Sequence, residues 1–290
     1  MHLSRKVPGA ASSAVRLLSG GRRVVWAEVQ DDVHKGALSS AASQVLRNAA
    51  QTAREKRLPL VLSLASSGAE IREGVSALHG WGEAARAISQ CSGVVPTIAI
   101  VDGPAVSGPA LLIGLCDAVI MTNESYAFVS GPTMVAQMTG IEVSNEELGG
   151  TDIHSRQSGV ANLVANDAAH ALELLDELLR YLPDHVDELT AIIESGDPVG
   201  RECPELDAVL PASPTGSYDV RRVIESIVDD GVHLELRAGW ANNVVTSLAS
   251  IGGRAVGIVA NQPLALAGTL DIQASQKAAR FVAFCDAFNL

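Results

Sequence analysis

Two short runs of small residues stand where an α/β protein can do chemistry without a charged side chain. The first is Ser66-Ser67-Gly68-Ala69, directly after the apolar run Leu60-Val61-Leu62-Ser63-Leu64. The second is Ser107-Gly108-Pro109, reached from the apolar residues 94–101. A turn that delivers a strand into a helix leaves the first helical N–H groups unpaired. Those groups, together with the helix dipole, suit a developing oxyanion such as that of a thioester enolate. The same strings also fit an ordinary tight strand-to-helix connection, because small-residue loops are common in such folds. Ser66, Ser67 and Ser107 are alternatives as nucleophiles. The local string Ala105-Val106-Ser107-Gly108-Pro109 lacks the G-x-S-x-G elbow, and no histidine neighbours it in sequence, which weighs against a serine hydrolase.

Little else in the chain has the spacing of a reactive centre. His79 and His154 lie nearest the two loops, and a lone histidine is more often structural than catalytic. Glu146-Glu147 and Asp229-Asp230 read as solvated turn or helix-end charges. Cys91, Cys116, Cys203 and Cys285 are far apart, so neither a structural zinc nor a disulfide framework is indicated, and reduced thiols are expected. No metal site, phosphate-cradling loop or dinucleotide fingerprint is found. A formal net charge of −12 argues against a nucleic-acid surface and fits a cytoplasmic protein. The most apolar stretch, residues 94–121, is broken by Asp102, Asp117, glycines and prolines, so it reads as strand, loop, helix and strand rather than a membrane span.

The elements that must hold these loops follow from the periodicity. Hydrophobic residues make up 47% and aromatics only 3%, so the core is aliphatic. Residues 1–20 read as a poorly determined arm, 23–29 as a strand, and 39–55 as a helix. A buried parallel strand over 60–64, a helix over 80–91 and a strand over 94–101 come next, then the loop from Asp102 to Pro109. An apolar helix to about Leu115 and a strand over 117–121 complete the set. Strands alternating with helices imply right-handed crossovers, with ligands at the carboxyl ends of the strands, where both small-residue loops fall. A Leu-rich helix over 167–182 is stopped by Pro183, and 184–217 reads as a linker with one short helix over 186–194. A second unit then begins, with a helix over 220–227, strands near 244–248 and 255–260, and a helix over 275–288. The resulting division is an N-terminal domain over 1–183, the linker 184–217 and a second domain over 218–290. The last helix ends where a further strand is due, and an uncovered sheet edge is expected to be completed by something else.

The ordered strings then resemble a known family. Ser92-Gly93-Val94-Val95-Pro96, Asp102-Gly103-Pro104, Ser130-Gly131-Pro132, Glu146-Glu147-Leu148-Gly149-Gly150 and Ser158-Gly159-Val160-Ala161 are similar to the carboxyltransferase (beta) subunits of propionyl-CoA and related acyl-CoA carboxylases. The stretch Gly253-Arg254-Ala255-Val256-Gly257-Ile258-Val259-Ala260-Asn261-Gln262-Pro263, with Lys277-Ala278-Ala279-Arg280-Phe281-Val282 and Phe284-Cys285-Asp286-Ala287-Phe288-Asn289, resembles the opening of that family's C-terminal domain. The resemblance implies an α/β fold of the crotonase/ClpP-like ββα spiral type, with an N-terminal carboxyltransferase domain and an incomplete second crotonase-like domain. It also implies an N-terminal domain that holds acyl-CoA, and biotin, carried on a partner protein, that supplies CO2 and removes the α-proton. The expected catalytic residues are Ser107 and Gly108, on which the family's oxyanion Gly-Gly falls. Gly68, Ala69, Ile71, Gly74 and Gly103 are the expected acyl-CoA-binding residues. Coenzyme A enters as part of the substrate.

The departures are specific. Ser107 replaces a glycine, Pro109 follows with no N–H to donate, and Glu70 stands where the family has an arginine. The C-terminal domain's own oxyanion loop is not in the sequence. The expected partners are therefore a biotin carboxylase or biotin carrier subunit and a second chain completing the C-terminal domain, in a homo- or hetero-oligomer. A thioester decarboxylase acting on malonyl-type acyl-CoA or carrier-protein substrates, and a non-catalytic scaffold subunit, are the alternative readings.

Overall fold

The computed structural model describes residues 5–6, 10–213 and 216–290, which fall into two compact units. The first holds residues up to Asp176 together with Asp184–Val186; the second holds Glu177–Pro183 and Asp187–Leu290.

In the first unit the chain runs β1 (Arg5–Lys6), β2 (Ala11–Leu17), β3 (Arg23–Val29), α1 (Ser40–Lys56), β4 (Leu60–Ser66), α2 (Val75–Ser89) and β5 (Thr97–Val106). It continues through α3 (Gly108–Ile113), β6 (Ala118–Thr122), β7 (Tyr126–Phe128), α4 (Pro132–Thr139), α5 (Asn145–Gly149), α6 (Thr151–Arg156) and β8 (Leu163–Ala165) to α7 (Ala168–Arg180), whose last four residues fall in the second unit. Among the described residues eight strands form one sheet in the order β1-β2-β3-β4-β5-β6-β8, with β7 paired to β5 alone. From β3 to β8 the pairing is parallel, and β4 is apolar on both faces, as a strand covered on both sides must be. Helix α1 begins at Ser39, whose Oγ accepts from the Ala42 N–H at 3.1 Å, and buries Ala42, Val45, Leu46, Ala49, Ala50 and Ala53 at helical spacing. These join Leu60, Leu62, Leu64, Ile88, Val101, Leu112 and Met121 in the core. The Asp117 carboxylate accepts from the Thr97 N–H (2.8 Å) and hydroxyl (2.7 Å), tying the start of β5 to the start of β6.

Three sequence expectations change here. Residues 10–20 are not an arm: β2 pairs antiparallel with β3 over seven residues, from Ala11↔Val29 to Leu17↔Arg23. Glu28 holds this polar strand by accepting from Ser12 Oγ (2.9 Å) and Arg16 Nη2 (2.7 Å), and Arg16 lies 4.6 Å from the Trp26 ring centre. Residues 1–4 and 7–9 lie outside the described residues. Strand β5 begins only at Thr97, because the Val94 and Val95 N–H groups close a turn on Cys91 O, and it continues through Asp102-Gly103-Pro104 to Val106.

The expected helix over 186–194 is also absent. In the second unit the Ile193 N–H bonds to Gly253 O at 2.8 Å, which draws this stretch out along a hairpin turn. That hairpin joins β10 (Val244–Ile251) to β11 (Arg254–Asn261), and β9 (His233–Glu235) pairs on the other side of β10. Helices α8 (Val220–Ile227) and α9 (Ile272–Ala287) belong to the same unit. Lys277 of α9 is fully buried, and its Nζ donates to Val244 O (2.7 Å) and Trp240 O (2.9 Å). Burial pushes its pKa down to about 8.

At the hairpin turn the Asp229 carboxylate accepts from the Gly252 and Gly253 N–H groups, each at 2.8 Å. Burial works against this carboxylate, but the donation from Gly253 and Gly252 outweighs it and holds its pKa below the usual aspartate value. A depressed folded pKa contributes stability above the unfolded value of about 3.9 and loses it as the pH falls further. Asp229→Ala is expected to destabilise the second unit by about 2 kcal/mol at pH 7. Urea denaturation of both proteins should show that difference shrinking below about pH 4.

Candidate active site

The two small-residue turns come together at the carboxyl ends of β4 and β5. Ser66, the last residue of β4, is buried; its Oγ donates to Gly36 O at 2.6 Å and accepts from the Gly68 N–H at 3.3 Å. Its hydroxyl is committed to fixing the loop, so Ser66 is not placed as a nucleophile. The loop then runs beside residues 34–38. The Ser67 N–H bonds to Lys35 O (2.9 Å), the Leu38 N–H to Gly68 O (2.8 Å) and the Glu70 N–H to Leu38 O (2.9 Å). That alternation skips Ala69, whose N–H has no acceptor among the described residues.

Strand β5 delivers the second turn. The Ser107 N–H donates to Phe128 O of β7 at 2.9 Å, and Ser107 adopts φ 63°, ψ −118°, a conformation that costs a non-glycine residue energy. Gly108 opens α3, and its N–H has no acceptor among the described residues. Pro109 fits the second helical position because no N–H is needed there. The turns abut: a Cβ added to Gly68 would lie 3.3 Å from Val106 O and 3.4 Å from Ser107 Cβ. The unpaired donors are thus Ala69 and Gly108, carried on adjoining turns. The expectation that Ser107 donates with Gly108 changes, since the parallel pairing of β5 with β7 already uses the Ser107 N–H.

The remaining expected residues are distributed around this pair. Gly103 sits within β5 against Ala65, with a would-be Cβ 3.3 Å from Ala65 Cβ. Ile71 is 90% exposed, and Gly74 caps the start of α2 on the same surface segment. Just before them Glu70 accepts from Arg72 Nε and Nη2, both at 2.9 Å, and from the Arg72 N–H at 3.2 Å. Those hydrogen bonds, led by the guanidinium, bring the Glu70 pKa down to about 2. The carboxylate next to the Ala69 N–H is therefore ionised at neutral pH and a weak base. Arg72 Nη2 also stands 3.3 Å from His34 Nδ1.

Trp81, inside α2, is a residue that sequence reading passes over. A Cβ built on Gly108 would lie 2.6 Å from Trp81 Nε1, 2.7 Å from Cδ1 and 3.2 Å from Cε2. These distances leave no room for a side chain at residue 108 against the Trp81 indole. The flanking Gly80 and Gly82 give a faint signal of close packing, but no local pattern points to residue 108. Among the described residues no group of His, Cys, Asp or Glu is arranged to hold a metal ion, and no helix is long and apolar enough to cross a membrane.

Comparison with known proteins shows the family of the chain. Residues 18–290 match the family described as the carboxyl transferase domain. The propionyl-CoA carboxylase beta chain of Saccharopolyspora erythraea is 39% identical over 279 residues, covering 93% of this chain and 51% of that protein. The methylmalonyl-CoA carboxyltransferase 12S subunit of Propionibacterium freudenreichii subsp. shermanii is 42% identical over 232 residues, covering 80% of this chain and 44% of that subunit. A transcarboxylase 12S crystal structure with hydrolysed methylmalonyl-coenzyme A bound superposes with a TM-score of 0.94 at 38% identity, over 97% of this chain and 54% of that one. The chain spans about half the length of the relatives it matches, and the crotonase-like fold expected from the sequence is the fold observed.

The contact between Gly108 and Trp81 is open to a double-mutant cycle. Gly108→Ala is expected to cost about 1–3 kcal/mol of stability through overpacking. The penalty should shrink in a Trp81→Leu background, as read by urea denaturation; an equal penalty in both backgrounds would place the clash elsewhere.

Proposed function

The chain belongs to the carboxyl transferase domain family, and on that premise we propose that it binds acyl-CoA and stabilises its thioester enolate as the carboxyltransferase component of a biotin-dependent acyl-CoA carboxylase. The observation that carries this reading is the pair of unpaired N–H groups, Ala69 and Gly108, on abutting turns. When the α-carbon of a thioester loses its proton, charge moves to the carbonyl oxygen. Two fixed main-chain donors favour that oxygen more as its charge grows, which lowers the barrier. Gly108 is the catalytic residue of this reading together with Ala69. Ser107 shapes the turn, its own N–H being spent on Phe128 O. Gly68 lets the first turn approach the second, and Ile71, Gly74 and Gly103 are proposed to line the path of the acyl-CoA.

The site has donors for an enolate oxygen but no evident base, since Glu70 is bound by Arg72 and its pKa lies near 2. That donor set fits a reaction in which the base comes from outside the chain. Biotin on a carrier partner supplies the transferable carboxyl group when bound. A biotin carboxylase or biotin carrier subunit is thus the proposed partner. Strand β11 pairs with β10 alone among the described residues, which supports a further proposal that a second chain completes that sheet within an oligomer. The acidic charge of −12 accords with a cytoplasmic setting.

The test uses the intact chain and two ligands that differ only at the thioester carbonyl. Propionyl-CoA carries the thioester carbonyl; S-propyl-CoA, its thioether analogue, does not. Calorimetry is expected to show propionyl-CoA binding about 10- to 100-fold more tightly, the worth of one or two hydrogen bonds to the carbonyl oxygen. Equal affinities, or no binding of either, would overturn the reading.

A further inference from the structure

We propose that His154 is a positioning residue for the enolate site: it holds the short strand β7 and, through it, the Ser107–Gly108 turn. The catalytic consequence rests on the reading above; the positioning itself does not. The starting point is a mechanical problem. Ser107 is held at φ 63°, ψ −118°, which costs a non-glycine residue energy and persists only where the surroundings fix it. The bond that fixes it is Ser107 N–H to Phe128 O. Phe128 is the last residue of β7, which is three residues long, pairs with β5 from Pro104↔Tyr126 to Val106↔Phe128, and otherwise makes only a single bridge from Tyr126 to Gly150 among the described residues. A strand so short cannot hold its own position against β5.

The other flank of β7 is held by the elbow between α5 and α6. His154 Nε2 lies 2.7 Å from Ala127 O, the carbonyl immediately before Phe128. A carbonyl only accepts, so Nε2 carries the proton and donates. On the far side of the ring, Nδ1 meets Ser158 Oγ at 2.9 Å, which fixes the imidazole plane. Gly149 rests on the same carbonyl so closely that an added Cβ would overlap Ala127 O. Thr151 Oγ1 donates to Thr122 O at 2.7 Å, tying the start of α6 to the end of β6. The line of support runs from Ser158 through His154 and Ala127 to Phe128, Ser107 and the unpaired Gly108 N–H. His154 touches neither substrate nor reacting atoms; it acts by keeping the turn in place.

Amide hydrogen exchange on the full chain separates this role from general structural support. In His154→Leu the Ser107 amide is expected to exchange about tenfold faster, the worth of one hydrogen bond, while the core amides of Leu62 and Ile100 keep the wild-type rate. The preference for propionyl-CoA over S-propyl-CoA should fall in the same protein, with affinity for free CoA unchanged. His154→Gln, whose side-chain amide can donate to Ala127 O, should restore both. Should His154→Leu fail to fold, Ser158→Ala keeps the ring but frees Nδ1, and a smaller rise at Ser107 is expected. Wild-type exchange at Ser107 in these variants, or an equal rise across all amides, overturns the proposal. A local rise at Ser107 in a chain whose wild type shows no thioester preference would uphold the positioning and sink the acyl-CoA reading instead.

Discussion

Strand β5 has to pair with two neighbours in succession, and the candidate site follows from that. Its first half lies beside β6, from Ile98↔Ala118 to Val101↔Met121, and its last three residues lie beside β7. On its other edge β4 pairs with it from Thr97 to Val101 and again at Ala105, with a register shift between Leu64 and Ser66. The hand-over from β6 to β7 carries β5 past the end of the regular sheet, into the space where β4 has already turned away. There the backbone has more N–H groups than strand partners. One is absorbed by Phe128; the next begins a helix and stays unpaired, as does the N–H of Ala69 opposite. Unsatisfied main-chain donors in a folded protein call for an explanation, and the proposed enolate site would supply one for these two.

Charge at the edge of the site is arranged so that it does not intrude. Glu70 and Arg72 neutralise each other one residue beyond the donors, and Arg72 reaches back to His34. The second unit follows similar rules. Asp229 meets the two N–H groups of the β10–β11 turn, and Lys277 meets carbonyls at the start of β10, so each buried polar group ends a stretch of backbone that lacks partners of its own.

Much of the architecture was legible because it rests on local apolar runs. Leu60-Val61-Leu62 and Ala118-Val119-Ile120-Met121 could only be buried parallel strands, and Gly68 and Gly108 stood out as small residues at strand ends. The end of β5 was not legible. Gly103-Pro104 has the signature of a loop, yet proline lacks only a donor, and it falls where β5 changes neighbours and a ladder bond can be spared. Residues 186–194 carry helix-compatible side chains but are pulled straight by the bond from Ile193 to Gly253, sixty positions away. Trp81 and His154 were opaque for a related reason. Their partners are the backbone of Gly108 and of Ala127, chosen by the packing of α2 and α6 and invisible to any pattern of side chains along the chain.

That both donors belong to the main chain has a genetic corollary. A site made of side chains can be erased residue by residue, and a scan of alanine substitutions maps it. Here the residue at one donor is already alanine, and the other is a glycine whose replacement changes packing rather than the N–H itself. Such a scan would leave both N–H groups of the proposed centre in place and register only changes in packing around them. Inheritance would see the same thing: drift at these positions alters the shape of the pocket, while the donors themselves persist for as long as the two turns stay folded.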